Sequence, residues 1–321
     1  MLWLALWLLL PSCPLQLHAQ IAGESPAVRE PLRPRLLASF PVGRIRYYEL
    51  SESTRVERHL PDGTLQRWQR QARYLLRFYA FTERDNQMTE VACRVERLTY
   101  RLQQDTLTVA FDSEHPEQLS RRIPDVEFTS MLLGTEPEIL FSPYGDIARI
   151  GGEQLQWLRD YLRNELGTDT LLLASKLAAV SDARWAALFD MHKGIIPGTR
   201  IREDSTWQRL VTLWIEGVEW RDTAHIHIAR PGDTSRLIVG VLPALQSVSA
   251  TAWLPDMPRT PVQIDHATGH AQIAVELAPR GLITSSELHA HTEYTATPLR
   301  GSTPFRQTVQ VTFSWRFLRE E

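Results

Sequence analysis

Residues 305–317, FRQTVQVTFSWRF, admit one kind of local structure. Phe305, Val309, Val311, Phe313, Trp315 and Phe317 share one parity, while Arg306, Thr308, Gln310, Thr312, Ser314 and Arg316 share the other. Successive side chains of a strand point to opposite faces, so this period of two predicts a half-buried antiparallel strand. TAHIHIA, residues 223–229, repeats the pattern with Ala224, Ile226 and Ile228 facing inward. QRWQRQARYLLRFYAF, residues 66–81, fits two templates. Trp68, Ala72, Tyr74, Leu76, Phe78 and Ala80 make a strand face, and Leu65, Trp68, Ala72, Leu75 and Tyr79 make a helical stripe. Strand-like neighbours on both sides decide for the strand.

The punctuation between such runs is proline and glycine. Ser142-Pro143-Tyr144-Gly145 matches a type I turn, in which proline sets the backbone angle and glycine accepts the return geometry. Pro61-Asp62-Gly63 and Pro279-Arg280-Gly281 reuse the device. A phosphate-cradling loop needs several glycines between a strand and a helix N-terminus. Here one glycine joins strand to strand, which predicts hairpins. FSPYGDIARI and LAPRGLITSS resemble each other, as do VGRIRYYELS and GTRIREDSTW. Two related β halves and a shared hairpin grammar without duplication both account for this.

Residues 152–193 carry the helical signal. Leu155, Leu158, Leu162 and Leu166 form a stripe in GEQLQWLRDYLRNELG, DTLLLASKLAAV follows, and SDARWAALFDMHKG opens on a Ser181 cap. The last segment presents Trp185, Leu188, Phe189 and His192 and ends at Lys193 and Gly194. Helices this apolar must cover a sheet. The expected fold is mainly β, with two antiparallel sheet-rich halves of sandwich or half-barrel type, residues 42–151 and 195–321. A helical insert, residues 152–194, lies between them and packs on a concave sheet face.

A chain of 321 residues with 43% hydrophobic and 23% charged residues builds a sizeable core. Its net charge of -3 supplies no basic field for nucleic acid. All the basic residues except Lys176 and Lys193 are arginine, spread along the chain. MLWLALWLLLPSCPLQLHAQ has an apolar core too short to span a bilayer and ends in a small-residue site after Ala19. Residues 1–19 are therefore expected to be a signal peptide, and residues 20–41, broken by Pro26, Pro31, Pro34 and Pro41, a flexible leader. The competing reading lipidates Cys13 within LPSC. The expected location is periplasmic or extracellular. Cleavage leaves Cys93 without an internal partner, on a strand face with Val91 and Val95, where a buried inert thiol is expected.

CRVERLTYRLQQDTLTVAFDS, SPYGDIARIGG, IIPGTRIREDSTW and GHAQIAVELAPRGLITSSELHAHTEY occur in that order. In this the chain resembles a family of secreted or lipid-anchored proteins of Gram-negative bacteria, catalogued as a domain of unknown function. Its usual Gly-Asp pair before the tryptophan is split here into Gly198 and Asp204, ahead of Trp207. The resemblance implies export and a β fold, and transfers no catalytic residue.

His225 and His227 share the polar face of one strand, and His289 and His291 share that of another, flanked by Glu287 and Glu293. Were those strands adjacent, four imidazoles could hold a transition metal; the plain alternative is a solvated face. Asp112-Ser113-Glu114-His115 has triad residue types but lies before Pro116 as a polar turn, and Asp265-His266 sits beside a turn glycine. Neither a G-x-S-x-G elbow nor an H-E-x-x-H helix occurs. Trp157, Trp185, Trp207, Trp214, Trp220 and Trp253 suit either a cavity wall or the core, with Trp157 and Trp185 at core spacing on helices. No catalytic residue and no cofactor is expected. The leading expectation is an exported non-enzymatic envelope or surface protein binding a small hydrophobic ligand or an envelope component. The alternatives are an envelope-polymer hydrolase with spatially assembled carboxylates and a metal-binding surface protein.

Overall fold

A computed structural model describes residues 36–84, 87–118, 123–198, 205–230, 235–300 and 303–321. The expected signal peptide, Cys13 and most of the leader lie outside these residues. The N-terminal strands are β1 (Ile45–His59), β2 (Leu65–Glu83), β3 (Thr89–Gln104), β4 (Leu107–Asp112), β5 (Glu138–Phe141) and β6 (Ile147–Gly151). A short helix α1 (Pro124–Ser130) precedes β5, and α2 (Glu153–Leu166), α3 (Thr170–Ala179) and α4 (Asp182–Phe189) follow β6. Then come β7 (Thr206–Ile215), β8 (Val218–Arg230), β9 (Arg236–Ser247), β10 (Thr251–Ala252), β11 (Val262–Leu277), β12 (Ile283–Pro298) and β13 (Phe305–Glu320).

These strands form one antiparallel sheet in the order β6-β5-β3-β2-β1-β13-β12-β11-β9-β8-β7, with β4 on β3 and β10 on β11. The fold is mainly β, as the alternation predicts. Its two halves are the flanks of a single sheet, because the first strand pairs with the last over a long antiparallel register, Arg46 opposite Glu320 through His59 opposite Arg306. Each half is a meander, one running out from this central seam and the other running in toward it.

The ambiguous segment is strand β2, and its Trp68, Ala72, Tyr74, Leu76, Phe78 and Ala80 are all buried. Phe305, Val309, Val311, Phe313 and Trp315 of β13 are buried on the same side of the sheet. The turn at Ser142 joins β5 to β6: Gly145 N donates to Ser142 O at 2.9 Å and Ser142 N donates to Asp146 O at 2.8 Å. Gly145 has φ 88°, and a Cβ there would stand 2.6 Å from that of Ala38. That turn is structural, and it packs on the incoming chain, where Leu36, Ala38 and Phe40 are buried.

The sheet curls. Between β2 and β8 stand five strands, which at roughly 4.8 Å per spacing would set them about 29 Å apart if flat. Yet Arg70 of β2 bonds directly to Glu216 of the β7–β8 turn. Trp220 of β8 likewise reaches Tyr294 of β12, with ring centroids 6.0 Å apart. Helix α4 fills part of the concavity. Its Trp185, Leu188 and Phe189 are fully buried, Phe189 meets Phe78 edge-on at 5.3 Å, and Trp315 Nε1 donates to Leu188 O at 2.8 Å. Ser181 caps it by accepting from Arg184 N, and Lys193 Nζ donates to the carbonyls of Ala186 and Ala187 at its other end. Helix α2 departs from expectation at one residue: Trp157 faces outward, 67% exposed, and stacks on Tyr161. Its leucines make the narrow stripe, and the tryptophan lies off it.

Candidate functional site

Two places concentrate chemistry, and both arise where the curled sheet brings its flanks together. The first is a buried charge cluster. Arg70, Glu52 and Thr54 hold inward parity positions in β2 and β1, among apolar neighbours. The Arg70 guanidinium receives three carboxylates: Glu52 at 2.6 Å, Asp125 of α1 at 2.9 Å, and Glu216. Tyr74 Oη donates to Glu52 at 2.9 Å, and Tyr100 Oη donates to Asp125. Glu216 is delivered by a two-residue hairpin, in which Glu216 and Gly217 both have positive φ, 50° and 84°. This is the turn whose twist matches antiparallel strands. The second position demands glycine, since a Cβ on Gly217 would lie 2.1 Å from Trp253 O.

Burial raises the Glu52 carboxyl, but the Arg70 and Arg184 guanidiniums and the hydrogen bonds from Arg70 and Tyr74 outweigh it and leave the pKa at about 2. Glu216 goes the other way. Burial and the neighbouring Asp125 and Glu52 charges overcome the Arg70 attraction and raise it to about 7. One guanidinium cannot neutralise three carboxylates, so the last of them retains its proton more readily. Arg184 lies close by, with its guanidinium 4.7 Å from the Trp214 ring and Nε and Nη1 unbonded among the described residues. A hydrolase would need such clustered acids in a cleft. These are sealed: the Glu52, Asp125 and Glu216 side chains are at most 4% exposed.

The second place is a cleft of about 470 Å³. It runs between the two edges of the sheet. On one side it is lined by Asp146 and residues 147–150 of β6, on the other by residues 209–214 of β7. Consecutive residues of both parities line each wall, so the cleft sees each strand along its edge and not one face. β6 pairs only with β5 and β7 only with β8 among the described residues, which leaves edge N–H and C=O groups open here. Ala183, Ala186 and Ala187 of α4 keep the wall between the edges low, and Leu288 and Phe313 from the inner face form an apolar floor.

The cleft's charges are already engaged. Arg209 donates to Asp146 Oδ2 and to Ile196 O, both at 2.8 Å. Lys193 is occupied by two helix carbonyls and lies over the Trp315 ring; burial lowers its pKa to about 8 despite Asp190. One polar atom is left over: Asp146 Oδ1 is buried without a hydrogen-bond partner among the described residues. The site therefore offers an occupant apolar surface and open edge backbone, while Asp146 Oδ1 is closed off from solvent.

The four sequence-predicted histidines do not converge. His225 and His227 are on β8 and His289 and His291 on β12, with β9 and β11 between them. His225 pairs with Gln208, while His289 contacts Thr312 and Glu287. Among the described residues no group of three or more His, Cys, Asp or Glu side chains is arranged to hold a metal ion. Asp112-Ser113-Glu114-His115 is a turn, in which Ser113 Oγ accepts from Leu98 N and Asp112 pairs with Arg97. Cys93 is buried and its thiol pKa is pushed up by desolvation. Trp185 and Trp220 are core, and Trp214 alone of the six tryptophans borders the cleft. The residues that sequence reasoning missed are Glu52, Arg70, Glu216 and Asp146. Arg70 had a readable signal: it interrupts the apolar face running from Trp68 to Ala80.

No protein-family model matches the chain, and no curated protein matches it. Solved structures do show likeness. A structure of lipovitellin aligns with 88% of this chain at 11% identity and a TM-score of 0.47. The chain spans about a quarter of that one, 26%. An outer membrane channel from Pseudomonas putida aligns over 88% of this chain and 97% of its own, at 8% identity and a TM-score of 0.27. OpdQ of Pseudomonas aeruginosa aligns over 86% and 99%, at 8% identity and a TM-score of 0.20. At these values the comparisons carry no argument about function.

Proposed function

We propose that this protein is an exported, non-enzymatic envelope protein that holds a small hydrophobic ligand in the cleft between its sheet edges. The observation that carries the reading is the cleft itself, lined by the apolar side chains of Leu210, Leu288 and Phe313 between two open sheet edges. A small ligand with an apolar body matches that lining. The volume falls within the roughly 300–1,000 Å³ usual for small-molecule sites. The leader MLWLALWLLLPSCPLQLHAQ and the ordered family resemblance support export.

Face polarity supports an aqueous compartment. Positions facing away from the core on β13 are Arg306, Thr308, Gln310, Thr312, Ser314 and Arg316, and those on β2 include Arg67, Gln69, Gln71 and Arg73. A barrel wall that crosses a bilayer turns its apolar residues outward and its polar ones inward; here the apolar face is the concave one. No helix among the described residues is long and apolar enough to cross a membrane.

The test is native mass spectrometry of tag-free protein purified without detergent, followed by titration with the apolar fluorophore 1-anilinonaphthalene-8-sulfonate. Wild type should carry a bound small molecule or bind the fluorophore. Ala186→Trp, which fills the cleft from α4, should lose both while keeping its melting temperature. Equal binding by wild type and the filled variant would remove the cleft as the site. N-terminal sequencing of exported protein should begin at Gln20; an uncleaved chain would remove the export half.

A further inference from the structure

We propose that the outer face of the sheet carries a divalent transition-metal site clipped between His270 of β11 and His291 of β12. The two residues are cross-strand partners in the antiparallel register. Their rings stand 5.3 Å apart between centroids, tilted by 38°. Among the described residues neither imidazole makes a hydrogen bond or ion pair. Two imidazoles this close on neighbouring strands can each turn one ring nitrogen toward a shared cation, at the roughly 2.0–2.1 Å typical of zinc–imidazole bonds.

The ladder on the β9 side of His270 is irregular. The β9–β11 register shifts between Gly269, opposite Leu245, and Ala271, opposite Leu242, so β9 bulges around Pro243 and Ala244 beside His270. A bulge of this kind bends its own strand and interrupts the ladder beside His270. The clip opens on a trough of about 560 Å³ whose other walls include Gln69, Gln272, Gln310 and Thr312. This leaves coordination positions for water or an added ligand. Imidazole donors without thiolate suit zinc, copper or nickel over calcium or magnesium. The site is separate from the ligand cleft and does not depend on the function proposed above.

His289 lines the same trough but is engaged elsewhere. It lies opposite Gln272, contacts Thr312 Oγ1 at 3.1 Å, and stands 3.4 Å from Glu287. His225 and His227 are on β8, two strand positions from β11 and three from β12. These provide the controls.

The experiment is calorimetric titration of tag-free wild-type protein with copper(II) and, separately, zinc(II). One metal per chain in the micromolar range is expected. His270→Ala and His291→Ala should each weaken that site about tenfold or more, because a lone imidazole cannot chelate. Both positions are on the outer face, and circular dichroism should show unchanged folding. His289→Ala and the double variant H225A/H227A should bind as wild type does. Absence of saturable binding by wild type, or unchanged affinity in H291A, overturns the assignment. A loss confined to H289A or to H225A/H227A overturns it as well.

Discussion

Strand β7 meets the opposite flank of the sheet at both ends, each time through an arginine–carboxylate pair, and the two pairs could hardly be more different. At the hairpin end Glu216 bonds Arg70 with both side chains at most 4% exposed. Near its start Arg209 bonds Asp146, with side chains 32% and 27% exposed. Water screens the second pair, so its contribution to stability is about 0–1 kcal/mol. The first has exchanged hydration for protein contacts and cannot be opened piecemeal, because any member left alone is an uncompensated buried charge. The same chemistry thus makes a lock at one end and a weak strap at the other. The cleft between the sheet edges lies beside the strap.

Substitutions should widen or erase that contrast. Arg70→Met is expected to be the most damaging, since it strands Glu52, Asp125 and Glu216 together. Losses of about 3–5 kcal/mol follow the breaking of buried pairs, and urea unfolding should show this or the variant should fail to accumulate. Ala186→Trp should abolish ligand retention with little effect on urea unfolding, separating cleft from lock.

Glu216→Gln should change the pH dependence more than the stability at low pH. The folded carboxyl titrates near 7 against 4.5 for the exposed group, so the folded state binds the extra proton between those values. The stability that Glu216 contributes is then fully present below about pH 4.5 and is lost as pH rises through about 7. Wild type should therefore melt lower at pH 8 than at pH 5.5 by this contribution, and the glutamine variant should flatten that interval. An unchanged slope would mean that Glu216 is not in the cluster. Glu52, held at about 2, acts in the opposite sense and dominates only in strong acid. The smallest effect belongs to Arg209→Ala, whose melting temperature should stay close to wild type while ligand affinity changes. A large destabilisation would show that the strap is a second lock.

The contrast also explains what could be read from the chain. Alternation exposes strands because each residue reports its own face; the aromatic run of β2 and the whole of β13 were legible for that reason. Turn chemistry at Gly145 was legible too, since the constraint is local. Arg70 was half legible, as a charge at an inward parity, without any hint of what satisfied it. Glu216 was not legible at all. It looks like an ordinary hairpin residue, and its partner is 146 positions away in sequence. The cleft shares that opacity, because it exists only once β1 has paired with β13 and both outer edges have been carried round to α4. Trp157 shows the opposite failure, where helical spacing suggested core and the residue sits one step off the leucine stripe. The histidine pairs were readable as pairs, but which strands lie side by side is set by the order of the sheet.

The central claim is that this sheet curls until its β7–β8 turn locks onto β2. A double-mutant cycle on Arg70→Lys and Glu216→Gln, read by urea unfolding at pH 8, tests it most directly. Lysine keeps the charge but loses the planar fork that serves several carboxylates at once. Residues in one buried network should couple by about 0.5–3 kcal/mol, and that is the predicted result. Additivity of the two losses would place the residues apart and contradict the curled sheet.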